Sequence, residues 1–158
     1  MKGTAPRGSG PALDAVQRAT LLASEKERAE NIMIVDLLRN DLGRLAAPGQ
    51  VRVDVLCAAE AYPTLWQMVS TVSAELPKAR LFELFQALFP CGSITGAPKI
   101  RAMQRIAELE VADRGLYTGT VGWLAPGGDC RFNVAIRTLE LEPNGRGRLG
   151  IGGGIVID

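Results

Sequence analysis

Apolar residues near the start of the chain recur at helical spacing in two consecutive segments. The spacing predicts one helix over residues 11–22 and a longer helix over residues 24–45. Ser24 occupies the position expected of an N-cap, and Glu25 and Glu27 follow in the first turn, where negative charge stabilises a helix. Residues 1–12 are rich in Gly, Pro and Ser and predict a loop.

The middle of the chain alternates between strand and helix patterns. Alternating apolar and polar positions predict a strand over residues 51–56. A short, largely apolar run, LWQMVSTV, predicts a second strand over residues 65–72. Two helices are predicted over residues 80–88 and 99–110, and a Gly, Ser, Thr and Pro loop over residues 90–98 separates them.

The end of the chain has the character of a β structure. Three strands are predicted over residues 117–124, 132–141 and 148–157. The segments 126–129 and 143–145 contain Pro and Gly in the order typical of hairpin turns. The whole pattern therefore predicts an α+β fold with an antiparallel meander at its C-terminal end.

Composition narrows the class of protein. The 158 residues include 18 Lys and Arg, 17 Asp and Glu and no His, and the net charge of +1 argues against a nucleic-acid partner. Without His, the chain has no His metal ligand and no Ser-His-Asp triad. Three widely spaced cysteines predict free thiols in a reducing cytoplasm. No apolar run approaches the roughly 18 residues of a membrane span, so no membrane partner is expected.

Two glycine-containing segments leave alternatives open. Residues 90–99, PCGSITGAPK, precede a predicted helix, so backbone N–H groups with the hydroxyls of Ser93 and Thr95 fit either an anion cradle or an ordinary helix entry. Residues 150–154, GIGGG, lack the following helix that a dinucleotide-binding loop requires. They fit either a bulge or a bare main-chain surface against which a flat ligand lies.

Several charged residues stand in segments where charge is unexpected. Glu27 and Glu30 share a helix face, where one of them could bind Mg²⁺ or pair with a neighbouring Arg. Arg137 interrupts an apolar strand pattern, which indicates either a sheet edge or a bound anion. Lys2 follows the first Met, and local sequence alone predicts a disordered terminus there.

Six segments taken together resemble one family, the chorismate-utilising enzymes. In chain order they are KGTAPRG, RAENIMIVDLLRNDLGR, PCGSITGAPKIRAM, YTGTVGW, FNVAIRTL and GIGGGIVID. The resemblance spans residues 2–158 and is greatest to the para-aminobenzoate branch, aminodeoxychorismate synthase component I. It implies a fold of antiparallel sheets sandwiched with outer helices. Residues 1–158 would be a single partial catalytic domain, without the family's N-terminal portion and final C-terminal helix.

The resemblance also implies an activity. It implies a cytoplasmic transferase of the transaminase-type class that aminates chorismate at C4 to 4-amino-4-deoxychorismate, in para-aminobenzoate and folate biosynthesis. Ammonia would come from a glutamine amidotransferase subunit or domain. Lys2 matches the family lysine that attacks C2 of chorismate, where anthranilate synthase has alanine. A lysine amine bound at C2 leaves C4 as the position that ammonia attacks.

Further site residues are carried over from the matched motifs. Thr4, which joins Lys2 as a predicted catalytic residue, and Ser93 match hydroxyl contacts to the substrate. Glu30 matches the glutamate that binds Mg²⁺, which in turn holds the C1 carboxylate of chorismate. Tyr117 and Arg137 match the residues that bind the pyruvyl carboxylate. The matched backbone amides around a carboxylate are those of Gly152, Gly153 and Gly154.

The chain departs from the family pattern at one internal position. Gln67 stands where relatives often carry a His with a proton-transfer role, and an amide cannot act as a general acid. The family's second Mg²⁺ glutamate would lie beyond residue 158. Two alternatives stay open at this stage: anthranilate synthase component I or an isochorismate-type enzyme, and a truncated, non-catalytic fragment of such an enzyme.

Overall fold

The computed structural model describes residues 1–77 and 79–154, which belong to two compact units. The first unit spans Met1–Leu88 and the second spans Phe89–Asp158. Both contain helices and strands, so the predicted α+β class is confirmed. The single partial domain that the resemblance implies stays a prediction. Within the described residues, no helix combines the length and the apolar character needed to cross a membrane.

The first unit is a three-stranded antiparallel sheet with helices packed against it. Its elements are β1 (Thr4–Pro6), α1 (Pro11–Ala23), α2 (Glu25–Gly43), β2 (Val51–Ala61), β3 (Leu65–Ala74) and α3 (Leu81–Leu88). The strand order is β1-β3-β2, which places β3 in the middle of the sheet. Both α1 and α2 contact β2 and β3. The side chains of α2 therefore face the sheet that contains the predicted site residue Thr4.

A single residue, Ser24, separates α1 from α2. Its backbone is extended, with φ −66° and ψ 110°, and its hydroxyl oxygen accepts a hydrogen bond of 3.3 Å from the Glu27 N–H. This bond satisfies one of the backbone donors left free at the start of a helix. The structure confirms both predicted helices and the predicted N-cap.

The prediction of a loop over residues 1–12 is wrong at residues 4–6, which form β1. This strand pairs antiparallel with β3, with Thr4 opposite Gln67 and Ala5 opposite Trp66. A short segment rich in Gly and Pro has no strand pattern of its own, and its hydrogen-bonding partners come from a strand about 60 residues further along the chain. The pairing draws the start of the chain onto the sheet.

The ladder between β2 and β3 contains a bulge. The register shifts between Val53 and Val55 and again between Val55 and Ala58. Cys57, inside the bulge, has φ 52°, which is in the left-handed region that few residues other than glycine adopt. Because the ladder resumes at Ala58, β2 runs to Ala61, beyond the predicted end at residue 56.

The hydrophobic core of the first unit lies between the three-stranded sheet and α1. Its buried side chains are Ala5, Leu21, Cys57 and Met68, and Trp66 packs against them. The side chain of Met68 is completely buried, and burial of that kind stabilises a protein by about 1.5–3 kcal/mol. The core therefore fastens the middle of β3 directly beside the first residues of the chain.

The second unit consists of two helices followed by two hairpins. Its elements are α4 (Gly92–Thr95), α5 (Lys99–Leu109), β4 (Thr120–Leu124), β5 (Cys130–Val134), β6 (Leu139–Leu141) and β7 (Gly147–Leu149). β4 pairs with β5 and β6 pairs with β7, each antiparallel. The structure confirms the helix predicted after residue 98 and both predicted hairpin turns, but the strands form two separate two-stranded sheets.

Three strand and loop predictions in the second unit are wrong in part. The loop over residues 90–98 contains α4, and the strand predicted from residue 117 begins at Thr120. The strand predicted over residues 132–141 is divided by an irregular segment at 135–138. Backbone pairing with the segment before β4 extends to Ala135, whose N–H and C=O bond to Gly119 and Thr118. The chain then leaves the strand conformation, because the Ile136 N–H donates back to the Val134 oxygen and Arg137 has φ 52°.

The last predicted strand lies only partly within the described residues. β7 covers Gly147–Leu149, and residues 150–154 form no strand. The remainder of the prediction, residues 155–157, lies outside the described residues.

Candidate functional site

The amine of Lys2 lies beside the carboxylate of Glu30 on α2. The distance from Lys2 Nζ to Glu30 Oε2 is 3.0 Å, and the two side chains are 36% and 16% exposed. A primary amine that can act as a nucleophile therefore sits in a partly desolvated position next to a carboxylate. The prediction of a disordered terminus at Lys2 is wrong, because Glu30 and Met68 hold the residue in place.

Backbone hydrogen bonds hold Lys2 and Gly3 against β3. The Lys2 N–H donates to the Met68 oxygen at 3.1 Å, and the Met68 N–H donates to the Gly3 oxygen at 2.8 Å. Gly3 has φ 98°, and a Cβ at this position would lie 2.9 Å from Glu27 Oε2. Glycine alone adopts this positive φ and leaves room for the Glu27 side chain without strain. The glycine after Lys2 thus allows the backbone to approach α2 closely.

Thr4 and Gln67 are joined by their side chains across the β1–β3 pair. The Thr4 hydroxyl donates to Gln67 Oε1 at 3.3 Å, and Gln67 Nε2 donates to the Gly3 oxygen at 2.6 Å. The structure therefore brings the predicted residues Lys2, Thr4 and Glu30 into one region of the first unit. Gln67 serves there as a hydrogen-bonding link, a task that an amide performs with one donor side and one acceptor side.

Glu27 and Glu30 lie one turn apart on α2, with Glu27 against Gly3 and Glu30 against Lys2. Mg²⁺ is usually bound by one or two carboxylates together with water and ligand oxygens. Among residues 1–77 and 79–154, no group of three or more His, Cys, Asp or Glu side chains forms a metal cluster. Glu27 and Glu30 present two carboxylates one turn apart, which is the number of protein ligands that a Mg²⁺ ion shared with water and ligand oxygens uses.

A second ion pair fastens the far end of β1 to α1. Arg7 donates to both carboxylate oxygens of Asp14 at 2.7 Å, and Asp14 also accepts from the Gly8 N–H and from Trp66 Nε1. The hydrogen bond from Arg7, more than the others, lowers the pKa of Asp14 from 3.8 to about 2. The guanidinium of Arg7 lies 4.8 Å from the centre of the Trp66 ring. Together these contacts set the position of β1 along the sheet.

In the second unit, the ring of Tyr117 lies against the backbone of the glycine segment. A Cβ at Gly150 would come within 2.2 Å of Tyr117 Cγ, and one at Gly152 within 2.5 Å of Tyr117 Oη. No atom lies within 4 Å of a Cβ built at Gly153, and Gly154 is exposed. The structure therefore joins the predicted Tyr117 to the predicted glycines, because bare main chain allows the aromatic ring to approach.

Arg137 is exposed and has φ 52°, in the irregular segment between β5 and β6. The neighbouring Ala135 bonds to Thr118 and Gly119 through its C=O and N–H, at 2.8 Å and 3.0 Å, so Arg137 and Tyr117 flank one backbone pairing. Arg137 lies between two strands, so the sheet edge that the sequence leaves open is excluded, and the bound anion stays a prediction.

Two further polar residues belong to the second unit, Ser93 and Arg114. Ser93 is exposed in the first turn of the short helix α4. Arg114 precedes Tyr117, whose N–H donates to the Arg114 oxygen at 3.2 Å. Two hydrogen bonds from the Arg114 guanidinium to Glu110 raise the pKa of Arg114 and lower that of Glu110.

Sequence reasoning missed Asn31, which is buried in α2 next to Glu30 and donates from Nδ2 to the Lys2 oxygen at 3.1 Å. A signal was present, because Asn31 and Val35 are four residues apart on the buried stripe of α2. A polar residue on such a stripe requires a hydrogen-bonding partner. What sequence could not show was that this partner is the backbone of Lys2.

The chain resembles known chorismate enzymes over its whole length. It is 48% identical over 159 residues to aminodeoxychorismate synthase component 1 of Klebsiella aerogenes, covering 100% of this chain and 35% of that protein. It is 47% identical to anthranilate synthase component 1 of Mycolicibacterium smegmatis, covering 99% of this chain and 30% of that protein. The chain therefore spans about a third of the length of the curated relatives it matches.

A solved structure shows the same fold. The crystal structure of anthranilate synthase component I from Streptococcus pneumoniae TIGR4 matches with a TM-score of 0.74 and 36% identity, over 87% of this chain and 34% of that one. This match confirms that the chain has the predicted fold of the chorismate-utilising enzymes. The model of the chorismate binding enzyme family matches residues 1–158. Since that match covers every residue, the chain belongs to the family of chorismate binding enzymes.

Proposed function

We propose that this chain carries catalytic residues of an enzyme that aminates chorismate at C4 with ammonia, giving 4-amino-4-deoxychorismate for para-aminobenzoate and folate synthesis. The observation that carries the proposal is the placement of Lys2, whose Nζ lies 3.0 Å from Glu30 in a partly buried site. Curated relatives named aminodeoxychorismate synthase component 1, at 46–48% identity over the whole chain, support this branch of the family.

Lys2 is proposed as the nucleophile. Attack requires the neutral amine, so the ion pair with Glu30 has to open and the ammonium has to lose a proton. Bond formation between Nζ and C2 shifts the two ring double bonds toward C4 and expels the C4 hydroxyl, which leaves as water after gaining a proton. Ammonia then adds at C4, the double bonds shift back, and the amine of Lys2 leaves C2. The net reaction exchanges one ammonia for one water.

Substrate carboxylates and hydroxyls are proposed to meet the remaining site residues. The guanidinium of Arg137 and the hydroxyl of Tyr117 would bind the pyruvyl carboxylate, because a guanidinium presents two parallel donors to two oxygens. The amides of Gly152, Gly153 and Gly154 would donate to a carboxylate, and the hydroxyls of Thr4 and Ser93 would contact the ring substituents. Gln67 lacks a titrating proton, so proton transfer to the leaving hydroxyl would fall to another group or to water.

Mg²⁺ is proposed at Glu30, with Glu27 one helical turn away. When bound, it would hold the C1 carboxylate and draw electron density from the ring. Ammonia is proposed to come from a glutamine amidotransferase subunit or domain, and the name "component 1" of the relatives implies a partner component in those enzymes. A reducing, cytoplasmic setting is consistent with three cysteines that form no disulfide.

Product analysis tests the proposal. The chain is incubated with chorismate, ammonium and Mg²⁺, beside a chimera in which residues 1–158 replace the matching third of the Klebsiella aerogenes relative. We expect 4-amino-4-deoxychorismate by mass spectrometry from the chimera, and no product from its Lys2→Ala variant. Lys26→Ala, which changes an exposed lysine on the same helix as Glu30, serves as the matched control. Amination at C4 by the Lys2→Ala chimera would contradict the role given to Lys2.

Anthranilate synthase activity is the second candidate. It is favoured by the 47% identical relative in Mycolicibacterium smegmatis and by the solved structure from Streptococcus pneumoniae. The same assay separates the two candidates, because anthranilate from the chimera would refute C4 amination, as would isochorismate. A chimera that binds chorismate without forming any product would instead indicate a non-catalytic segment.

A further inference from the structure

Asn31 is one of the few buried polar side chains in the first unit, at 3% exposure, and every polar atom of its amide has a partner. Nδ2 donates to the Lys2 oxygen at 3.1 Å. Oδ1 accepts from the Ser70 hydroxyl and from Cys57 Sγ, the latter at 3.7 Å. A buried amide that is satisfied in this way can take part in stability and in positioning.

The hydrogen bonds around Asn31 form a series in which each group donates to the next, from Cys57 through Ser70 and Asn31 to the Lys2 oxygen. The Cys57 N–H donates to Ser70 Oγ at 2.9 Å, so the Ser70 hydroxyl proton is left to donate to Asn31 Oδ1. Since Oδ1 is thereby the acceptor, the nitrogen of the amide must face the Lys2 oxygen. Donors and acceptors in such a series strengthen one another inside a protein. The orientation of Asn31 is therefore determined by Ser70 and Cys57.

The bulge in β2 provides the first donor of this series. Cys57 has φ 52° and lies within the second register shift of the β2–β3 ladder, between Val55 and Ala58. Its N–H donates to a side chain of β3, where a regular ladder would use a carbonyl. A non-glycine residue in the left-handed region costs energy and needs compensation from its surroundings. Here the bond to Ser70 and the burial of Cys57 supply that compensation.

Two consecutive residues of α2 thus hold the same residue by its two ends. Glu30 contacts the ammonium of Lys2, and Asn31 contacts its backbone oxygen. The ion pair alone leaves the flexible four-carbon side chain of Lys2 attached to a backbone whose N–H is held at Met68. The amide contact adds a partner for the C=O of the same residue, so both backbone polar groups at the base of the side chain are held.

We propose that Asn31 is a positioning residue for Lys2, and that Ser70 and the bulge at Cys57 set its orientation. The inference deepens the proposed function, on which it rests for the role of Lys2 as nucleophile. Asn31 need not touch the substrate in this scheme. It acts through the backbone of Lys2, in the way that precise placement of a reacting group lowers a barrier.

The first test measures the accessibility of the Lys2 amine and needs no turnover. The whole chain is treated with an amine-reactive acylating reagent, and modification of Lys2 is followed by mass spectrometry of its peptide. We expect labelling of Lys2 to rise about fivefold in Asn31→Ala, the size of change that loss of one buried hydrogen bond gives an opening equilibrium. Parental labelling in a folded Asn31→Ala variant would overturn the proposal.

A matched pair at Ser70 tests the series behind Asn31. Thr and Val have the same shape, and only Thr keeps the hydroxyl. We expect Ser70→Val to label at Lys2 as Asn31→Ala does, and Ser70→Thr to label at the parental rate. Ser73→Val removes a hydroxyl from the exposed end of the same strand, where its partner is Asp54, and should leave Lys2 labelling unchanged. If Asn31→Ala does not fold, equal labelling of Ser70→Val and Ser70→Thr overturns the proposal by itself.

Kinetics separate positioning from stability and from the proposed function. In the active chimera, we expect Asn31→Ala and Ser70→Val to lower kcat about tenfold with KM unchanged, and Ser70→Thr to restore it. A rise in KM with unchanged kcat would overturn the positioning role. If the chimera makes no 4-amino-4-deoxychorismate, the proposed function fails, while the labelling result still decides whether Asn31 positions Lys2.

Discussion

The hydroxyl of Tyr117 lies so near the backbone of Gly152 that a Cβ at that position would come within 2.5 Å of it. A Cβ at the neighbouring Gly153 would have no atom within 4 Å beyond those of its chain neighbours and would lie in open space. Two adjacent glycines of one predicted carboxylate-binding segment therefore differ in what they tolerate. A methyl group at Gly152 would push against the Tyr117 hydroxyl, so the role of Tyr117 can be tested by a substitution at Gly152.

We expect Gly152→Ala to displace the Tyr117 hydroxyl and to weaken chorismate binding about tenfold, since a hydrogen bond to a carboxylate would be lost. Gly127→Ala is the matched control, because its methyl group enters open space in the turn between β4 and β5, outside the proposed site. Binding is measured by calorimetry on the chimera. Equal affinities of the two variants would contradict the proposed contact between Tyr117 and the substrate.

Glu30→Gln should separate stability from activity. Loss of its partly exposed ion pair with Lys2 should change the free energy of unfolding by no more than about 1 kcal/mol. Turnover should fall about a hundredfold, as when an electrostatic stabiliser is removed from a reacting centre, and its dependence on Mg²⁺ concentration should weaken. Asp36→Asn, which breaks an exposed ion pair with Arg39 on the same helix, should change neither turnover nor its Mg²⁺ dependence. A Glu30→Gln variant with the parental response to Mg²⁺ would remove Glu30 from the metal site.

Asp14 should make the first unit sensitive to acid. Its pKa is lowered from 3.8 to about 2, chiefly by the hydrogen bond from Arg7, so the folded state holds the proton less tightly than the unfolded chain. The stabilisation is therefore fully present above about pH 4 and is lost as the pH falls toward 2. Urea unfolding of the parent and of Asp14→Asn at several pH values should show a stability difference that shrinks over this window.

The same pH experiment has an internal check. Arg7→Gln removes the main cause of the shift and should show the same loss of pH dependence as Asp14→Asn. A stability difference between Asp14→Asn and the parent that stays constant from neutral pH to about pH 2 would show that Asp14 titrates alike in the folded and unfolded chains.

Gln67 should act as a structural link. Gln67→Leu removes its bonds to Thr4 and to the Gly3 oxygen, which also accepts from the Met68 N–H, so no acceptor is left without a partner. We expect a loss of about 1 kcal/mol in the free energy of unfolding, measured by chemical denaturation. Gln104→Leu, which removes an exposed bond to Arg101 on α5, should cost less than half of that. Equal losses would mean that Gln67 does not hold β1.

Local sequence determined those features whose cause is local. The N-cap at Ser24 and the boundaries of α1 and α2 follow from residues within one turn of each other. The order of the six motifs placed the chain in its family, and Lys2 was identified within the first of them. The hairpin turns near residues 126 and 143 also follow from short Pro and Gly signals.

Only the tertiary structure decided how these residues meet. β1 exists because β3 offers it hydrogen-bonding partners, and Lys2 is ordered because Glu30 and Asn31 hold it from a helix more than 25 residues away. The pairing of β5 extends to Ala135 through its bonds to Thr118 and Gly119, and the chain turns at Arg137, where φ is 52°, which no local pattern reveals. Propensity and periodicity describe what a segment can form by itself, whereas these features depend on partners that are distant along the chain.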